Sequence, residues 1–343
     1  MIITNNIATY PLLTILTKIG KKSFENMGRL IRKSGDTVGR MLHPGEISLD
    51  ASKKIARQVF ASKKELLLAI DETSIKKVYA RMIEGTSWFF DTKIGRSINA
   101  YRLIVGAISD GKFTVPISVA FSFGSELYKN ATEAKMITVK HFINVSRSLF
   151  PDKIFIIVLD GAFASVAYLK WAIENGIRTE VRMHSNRVVI YKGKPLKLRE
   201  IKLLRPKGRQ MSRTIRVLWQ GLVLYITAAK RIDRHGNETV VFQAATYEAK
   251  PSKHAESYKY RWNIEKLFRT TKQSLGLQEC FSRKIDIQFN HICAVFLAYS
   301  IAQLEMKKGG FKNPETALRA FEKKKRTFSN HPKSFLRDVI GLA

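Results

Sequence analysis

Two short apolar runs, each stopped by an aspartate, constrain this chain more than any other feature of its sequence. The first is Glu65-Leu66-Leu67-Leu68-Ala69-Ile70 followed by Asp71, and the second is Ile154-Phe155-Ile156-Ile157-Val158-Leu159 followed by Asp160. Apolar runs of this length, bounded by polar residues, read as strands buried on both faces, and such strands belong to parallel sheets covered by helices. An α/β fold is therefore expected, with both aspartates at the C-terminal ends of strands, where side chains converge on a crevice. Asp160 followed by Gly161 is also an ordinary turn, and taken alone it reads as one.

The rest of the chain arranges itself around these runs. Trp88 to Asp91, Tyr101 to Ser109 and Phe113 to Val119 read as a meander of strands, with Asp110-Gly111-Lys112 as a hairpin turn. Helices are expected from about Thr132 to Leu149 and from Ser165 to Asn175. From Arg178 to Tyr247 the pattern changes to short alternating segments, an all-β insertion whose loops carry Lys197, Arg199, Lys202, Arg205, Lys207, Arg209 and Arg213. Those cations read either as a phosphate-binding face or as a solvated basic loop. Residues 1–64 form a helical N-terminal region, in which two short helices around Ser34-Gly35-Asp36 are either a helix-turn-helix or part of a plain bundle. His43-Pro44-Gly45 reads as a turn and Asp50 to Phe60 as a helix. Ile287 to Met306 reads as a core helix, since Asn290, His291, Ser300 and Gln303 interrupt its apolar pattern. The expected units are thus 1–64, a core in two parts at 65–177 and 248–306, the insertion at 178–247, and a basic helical tail at 307–343.

Charge narrows the partner. Lys and Arg outnumber Asp and Glu by 60 to 28, a net charge of +32, which points to a polyanion, most commonly nucleic acid. A membrane partner would call for an amphipathic basic helix or a lipidation signal, whereas here the cations are spread through every segment. Cys280 and Cys293 stand far apart, without the companions of a zinc set, and read as buried thiols in a reducing cytoplasm. The first residues lack the pattern of a signal peptide, so an intracellular, cytoplasmic protein is expected.

The stretch from Tyr258 to Lys272 contains no Gly or Pro and reads as one helix. At about 100° per residue, Tyr258, Arg261, Glu265 and Lys272 fall within a stripe of about 60°, beside an apolar stripe of Ile264, Leu267, Phe268 and Leu275. Ordinary i,i+4 pairing on a wet face accounts for Glu265 with Arg261 or Arg269 equally well. Asp71, Asp160 and Glu265 nevertheless form a set that phosphodiester chemistry can use. Two Mg²⁺ ions about 3.5 to 4 Å apart share carboxylates of this kind.

The order of these elements resembles the DDE transposases of bacterial insertion sequences, in particular the insertion-sequence-four family. That family's signature is Tyr, two residues, Arg, three residues, Glu, six residues, Lys; Tyr258, Arg261, Glu265 and Lys272 match each step, and Asp71-Glu72-Thr73 is similar to its first-acid motif. The resemblance covers roughly Leu66 to Ser300. It implies an RNase H-like core with Asp71, Asp160 and Glu265 as ligands of two Mg²⁺ ions, for which Mn²⁺ can substitute. It implies contacts to the transposon end by Tyr258, Arg261, Lys272 and Arg269. Trp219 reads as a core residue or as the ring on which a displaced base stacks. Further implications are double-stranded DNA as partner, at transposon ends and target, cutting through hairpin ends, and a homodimer in the synaptic complex on nucleoid DNA. Asp160 departs from the pattern in being followed by Gly161-Ala162-Phe163 rather than an Arg-Gly type sequence. The rival readings are a stand-alone nuclease of this fold and a transposase-derived DNA-binding regulator without catalysis.

Overall fold

The computed structural model describes residues 3–17, 22–43, 47–78, 82–91, 94–122, 131–232 and 235–323. The turn expected at His43-Pro44-Gly45 lies largely outside them, as does the tail beyond Lys323.

Four helices open the chain: α1 (Ile3–Leu16), α2 (Phe24–Ile31), α3 (Gly35–Arg40) and α4 (Asp50–Val59). Ser23 caps α2 by accepting from the Asn26 amide, and Ser34 caps α3 by accepting from the Thr37 amide. The turn expected at Ser34-Gly35-Asp36 therefore lies earlier, at Arg32, which takes a left-handed conformation (φ 55°). The cause is the Ser34 hydroxyl, which starts the next helix where the glycine was read as a break. Strands β1 (Glu65–Lys76), β2 (Ser87–Asp91), β3 (Arg96–Ser109) and β4 (Thr114–Phe121) follow, then α5 (Ala131–Leu149), β5 (Ile154–Leu159) and α6 (Val166–Glu174). Next come β6 (Thr179–Met183), β7 (Val188–Tyr191), β8 (Lys194–Lys197), β9 (Ser212–Trp219), β10 (Leu222–Ile232) and β11 (Glu238–Ala245). The described residues end with α7 (Pro251–Lys259), α8 (Trp262–Gln273), α9 (Ile285–Gly309) and α10 (Pro314–Lys323).

All eleven strands belong to one mixed sheet, ordered β2-β3-β1-β5-β6-β11-β10-β9-β7-β8, with β4 also paired to β3. β1 runs antiparallel to β3 and parallel to β5, and β5 runs parallel to β6. The last parallel pair of β1 and β5 is Ile70 with Leu159, so Asp71 is the next residue of β1 and Asp160 the first residue after β5. The apolar run stops at Asp71 but the strand does not. β3 is long enough to pair with β1 as far as Lys76, after β5 has ended. Asp71 thus stands in mid-strand rather than at a strand end.

The section expected as a separate all-β insertion shares this sheet. β6, expected as its first strand, pairs with β5, and β11 pairs antiparallel with β6. The section also holds two 3-10 turns, at Leu198–Glu200 and Lys202–Leu204. The centre of β1, from Leu66 to Ile70, is buried throughout, as the unbroken apolar run requires. α9 is the main helical core element, with residues from Ile292 to Leu304 buried and α1, α4, α10 and β4 packed against it. Among the described residues it alone is long and apolar enough to cross a bilayer (mean hydropathy 1.3), yet 78% of that window is buried inside the fold.

Candidate active site

The single helix expected from Tyr258 to Lys272 is two. α7 ends at Lys259, and between Tyr260 and Ile264 the amide bonds tighten to the carbonyl three residues back: Tyr260 to Ser257, Arg261 to Tyr258, Asn263 to Tyr260 and Ile264 to Arg261, at 3.0 to 3.1 Å. The β3–β4 hairpin fixes this break. Asn263 Nδ2 donates to the Gly111 carbonyl at 3.0 Å and to Ser109 Oγ at 3.3 Å. Gly111 has φ +91°, and a Cβ there would lie 2.5 Å from Tyr260 Cζ, so the tyrosine ring rests on the bare glycine. The break puts Arg261 at the N-terminus of α8, turned toward β1.

Arg261 is 6% exposed and joins two acids. Its Nη1 donates to Asp71 Oδ2 at 2.9 Å and its Nη2 to Glu265 Oε1 at 2.5 Å. Asp71 Oδ1 accepts the Glu72 amide at 2.8 Å. The guanidinium carbon lies 5.7 Å from the centre of the Tyr258 ring. Burial pushes the Asp71 carboxyl up to about 6; Arg261 and the Glu72 amide oppose the rise, and the charges of Asp160 and Glu265 add to it. Burial acts to lower the Arg261 pKa, yet Tyr258, Asp71, Glu265 and Asp160 together hold it above its usual range. Tyr258, 2% exposed, is pushed up to about 12, chiefly by burial, and its hydroxyl has no partner among the described residues.

Asp160 follows β5 at the N-cap position of the 3-10 turn Gly161–Phe163, but its side chain makes no capping hydrogen bond. An aspartate serving only a turn normally spends its carboxylate there, whereas this one bears electrostatically on Asp71, Tyr258 and Arg261. Gly161 sits tightly on β6, where a Cβ would come 3.2 Å from the Arg182 carbonyl. Beside the acids a cavity of about 840 Å³ opens, lined by residues including Asp71, Glu72, Phe90, Arg102, Glu265 and Lys272. Among the described residues, no three His, Cys, Asp or Glu side chains stand ready to hold an ion as they are arranged.

The structure thus gathers Asp71, Asp160, Tyr258, Arg261 and Glu265, and Lys272, further along α8, lines the same cavity as Asp71 and Glu265. Arg269 lies on the exposed side of α8 and is not part of this group. Trp219 is also elsewhere. It is 4% exposed on β9, with the Arg187 guanidinium 5.7 Å from its ring centre, and lines a separate recess of about 580 Å³ with His184, Asn186 and Gln220.

Three features escaped the sequence reading. Glu72 is held by Arg102 (2.9 Å), Lys135 (3.0 Å) and Ser122 (3.3 Å); period-2 alternation, which turns it away from Asp71, was the available signal. Arg231 on β10 lies 5.8 Å from the Trp262 ring centre, and its pKa is lowered by burial while Tyr258 and Glu265 oppose that fall. Glu180 and His254 are fully buried and bonded at 2.9 Å, with Tyr247 donating to Glu180 at 2.7 Å. Burial raises the Glu180 carboxyl, and His254 and Tyr247 oppose the rise. The sequence carried no signal for this pair, which ties α7 to β6.

The fold is a mixed sheet flanked by helices, with Asp71 and Glu265 lining one cleft and Asp160 following the neighbouring strand. Residues 62–301 match the family described as a transposase DDE domain, and the chain belongs to that family. It is therefore a DDE transposase, an enzyme of metal-dependent DNA cleavage and strand transfer, with DNA as its substrate class. No curated protein matches the chain significantly.

Proposed function

We propose that this chain is the transposase of a bacterial insertion sequence of the Tyr-Arg-Glu-Lys type, which binds terminal inverted repeats, cuts them with Mg²⁺ through hairpin ends and joins them to target DNA. The observation that carries this reading is the Arg261 guanidinium held between Asp71 and Glu265, with the Tyr258 ring beside it and Lys272 lining the same cavity. Three residues of the signature, Tyr258, Arg261 and Glu265, thus meet beside Asp71, an acid from a distant part of the chain.

The donor set fits hard divalent cations. Asp71, Asp160 and Glu265 offer only carboxylate oxygens, and their charges raise one another's cost of ionisation at Asp71. These three would hold two Mg²⁺ ions, or Mn²⁺ in their place, and such ions activate the attacking oxygen and stabilise the leaving one. Arg261 neutralises Asp71 and Glu265 in the metal-free protein. Its planar fork suits phosphate oxygens equally well, so it is placed to hold the scissile strand against the acids. Tyr258, whose hydroxyl is unspent, offers that strand a second donor. Lys272 and Arg269 contact the DNA further along α8, and Trp219, in its polar recess, is the ring for a displaced base. In this reading the core is RNase H-like, residues 1–64 add a DNA-reading helical region, and two copies synapse the ends in the cytoplasm, on the nucleoid. Asp160, with its carboxylate free of the turn it starts, speaks against a regulator with idle acids.

The test is incubation of the purified protein with a DNA fragment carrying the flanking inverted repeats, with and without Mg²⁺, beside the variant Glu265→Gln. Wild type should nick and form hairpins only with Mg²⁺. Glu265→Gln should bind the fragment and lose cleavage by more than about 100-fold, the loss found even for outer partners of metal ligands. Identical products from both proteins would refute the assignment, and cleavage without any strand transfer would make the protein a nuclease.

A further inference from the structure

A cleft of about 840 Å³ opens beside the acids, and cations and aromatic rings stand along it. Bases drawn out of the stack beside such a cleft need new faces to cover them. β2 supplies such faces: Phe90 lines this cleft, and Trp88 stands two residues before it on the same strand. It is the last strand of the sheet, and alternation puts Trp88 and Phe90 on one side of it, 71% and 62% exposed. Large aromatic rings so exposed add little to the core. Their cross-strand partners on β3 are Asn99 and Ser97, of which the small Ser97 leaves the Phe90 ring uncovered. Phe89, on the other side, also lines the cavity, with the Arg102 guanidinium 5.7 Å from its ring centre.

The strand is held in place rather than trailing. Five paired residues join it to β3, and Lys76 binds Asp91 at 2.7 Å. Cations surround it: Lys76, Arg102 and Lys272 line the cavity and Arg96 is exposed at the start of β3. Aromatic rings interleaved with cations on a rigid groove are what binds single-stranded nucleic acid without regard to sequence.

We propose that Trp88 and Phe90 form a stacking platform for unpaired bases of the DNA strand entering the acid cleft, on the side opposite Trp219. This rests on the reading of the cleft as the DNA-cutting site. The occupant is single-stranded DNA rather than a second copy of the chain, because two rings set among cations fall far short of the roughly 800 Å² per partner of a stable protein interface, and net charge +32 opposes self-association there.

The test measures binding of a labelled short single-stranded oligonucleotide and of the matching duplex by fluorescence anisotropy, in EDTA and at fixed salt, so that cleavage plays no part. Trp88→Ala with Phe90→Ala should weaken single-strand binding by about 100-fold, about 10-fold for each ring, and duplex binding by less than about 3-fold. Phe90→Leu, which keeps the apolar bulk but removes the π face, should lose its share of single-strand affinity, and Phe90→Trp should retain it. Circular dichroism and the unfolding midpoint should match wild type, as both side chains are exposed. Equal losses on both DNAs, full affinity in Phe90→Leu, or a wild-type dimer that these variants dissociate would each overturn the proposal. The requirement of Glu265 for cleavage is independent of all three results.

Discussion

Arg261→Ala tests how the metal-free site is held together. In the native protein the guanidinium side chain is 7% exposed and the carboxylates it joins, Asp71 and Glu265, are 16% and 35% exposed. Removing one member of a buried ion pair costs about 3–5 kcal/mol, because the other charge is stranded. That figure applies to Asp71. Glu265 is more than a third exposed, and water screens it, so its share is at most about 0.5 kcal/mol. Two features hold the Asp71 cost toward the lower end. The Glu72 amide still donates to Oδ1, and a carboxyl already pushed up to about 6 takes a proton at modest cost. The expected destabilisation is therefore about 3 kcal/mol, measured by urea unfolding in EDTA near neutral pH. Saturating Mg²⁺ should recover more stability in Arg261→Ala than in wild type, since a divalent cation replaces the charge that the variant lacks. A loss under about 1 kcal/mol, or one that Mg²⁺ leaves unchanged, would refute the view that Arg261 stands among metal ligands.

Two further outcomes follow from geometry away from the acids. Gly111→Ala forces a side chain onto a backbone at φ +91° and into the Tyr260 ring, so it should destabilise the protein by about 2–4 kcal/mol and slow DNA cleavage by shifting the break between α7 and α8. A denaturation curve and a cleavage time course check both effects. His291 is buried, accepts from Tyr10 at 2.9 Å and donates to the Gly276 carbonyl at 3.0 Å, and burial lowers its pKa from 6.5 to about 4. The unfolded chain thus binds this proton first, and the contribution of neutral His291 is full above about 6.5 and is lost as pH falls toward 4. Between pH 7 and pH 5 it should remove about 2 kcal/mol of stability, a slope missing from His291→Gln in parallel unfolding curves.

Strands were the most legible part of the fold. The runs ending at Asp71 and Asp160 became adjacent parallel strands in matching register, because an unbroken apolar run fits few places other than the covered middle of a sheet. Where β1 ends was not legible, since it depends on the length of β3, a partner some thirty residues away in the chain. The membership of β6 and β11 in the core sheet was hidden for the same reason: alternation identifies a strand without naming its neighbour. Near the N-terminus Gly28 and Gly39, poor helix formers by propensity, each lie in a helix, where a Cβ at Gly28 would strike the Lys33 carbonyl and one at Gly39 would crowd the Phe24 ring. Local propensity gave way there to close packing.

The candidate site shows the same division between spacing and placement. The positions of Tyr258, Arg261, Glu265 and Lys272 along the chain were plain, but on an unbroken helix they would form only a charged stripe. The break at Tyr260 changes what Arg261 reaches. Helical continuation alone would leave it to its i+4 partner Glu265, the pairing that periodicity already allowed. The shortened turn, held open by Asn263 and by Tyr260 on Gly111, lets the same guanidinium reach Asp71 as well. The β3–β4 hairpin, which carries none of the acids, is thus what joins the helix-borne carboxylate to the strand-borne one. That connection runs through a glycine whose role is to have no side chain, and a sequence pattern records it only as a turn.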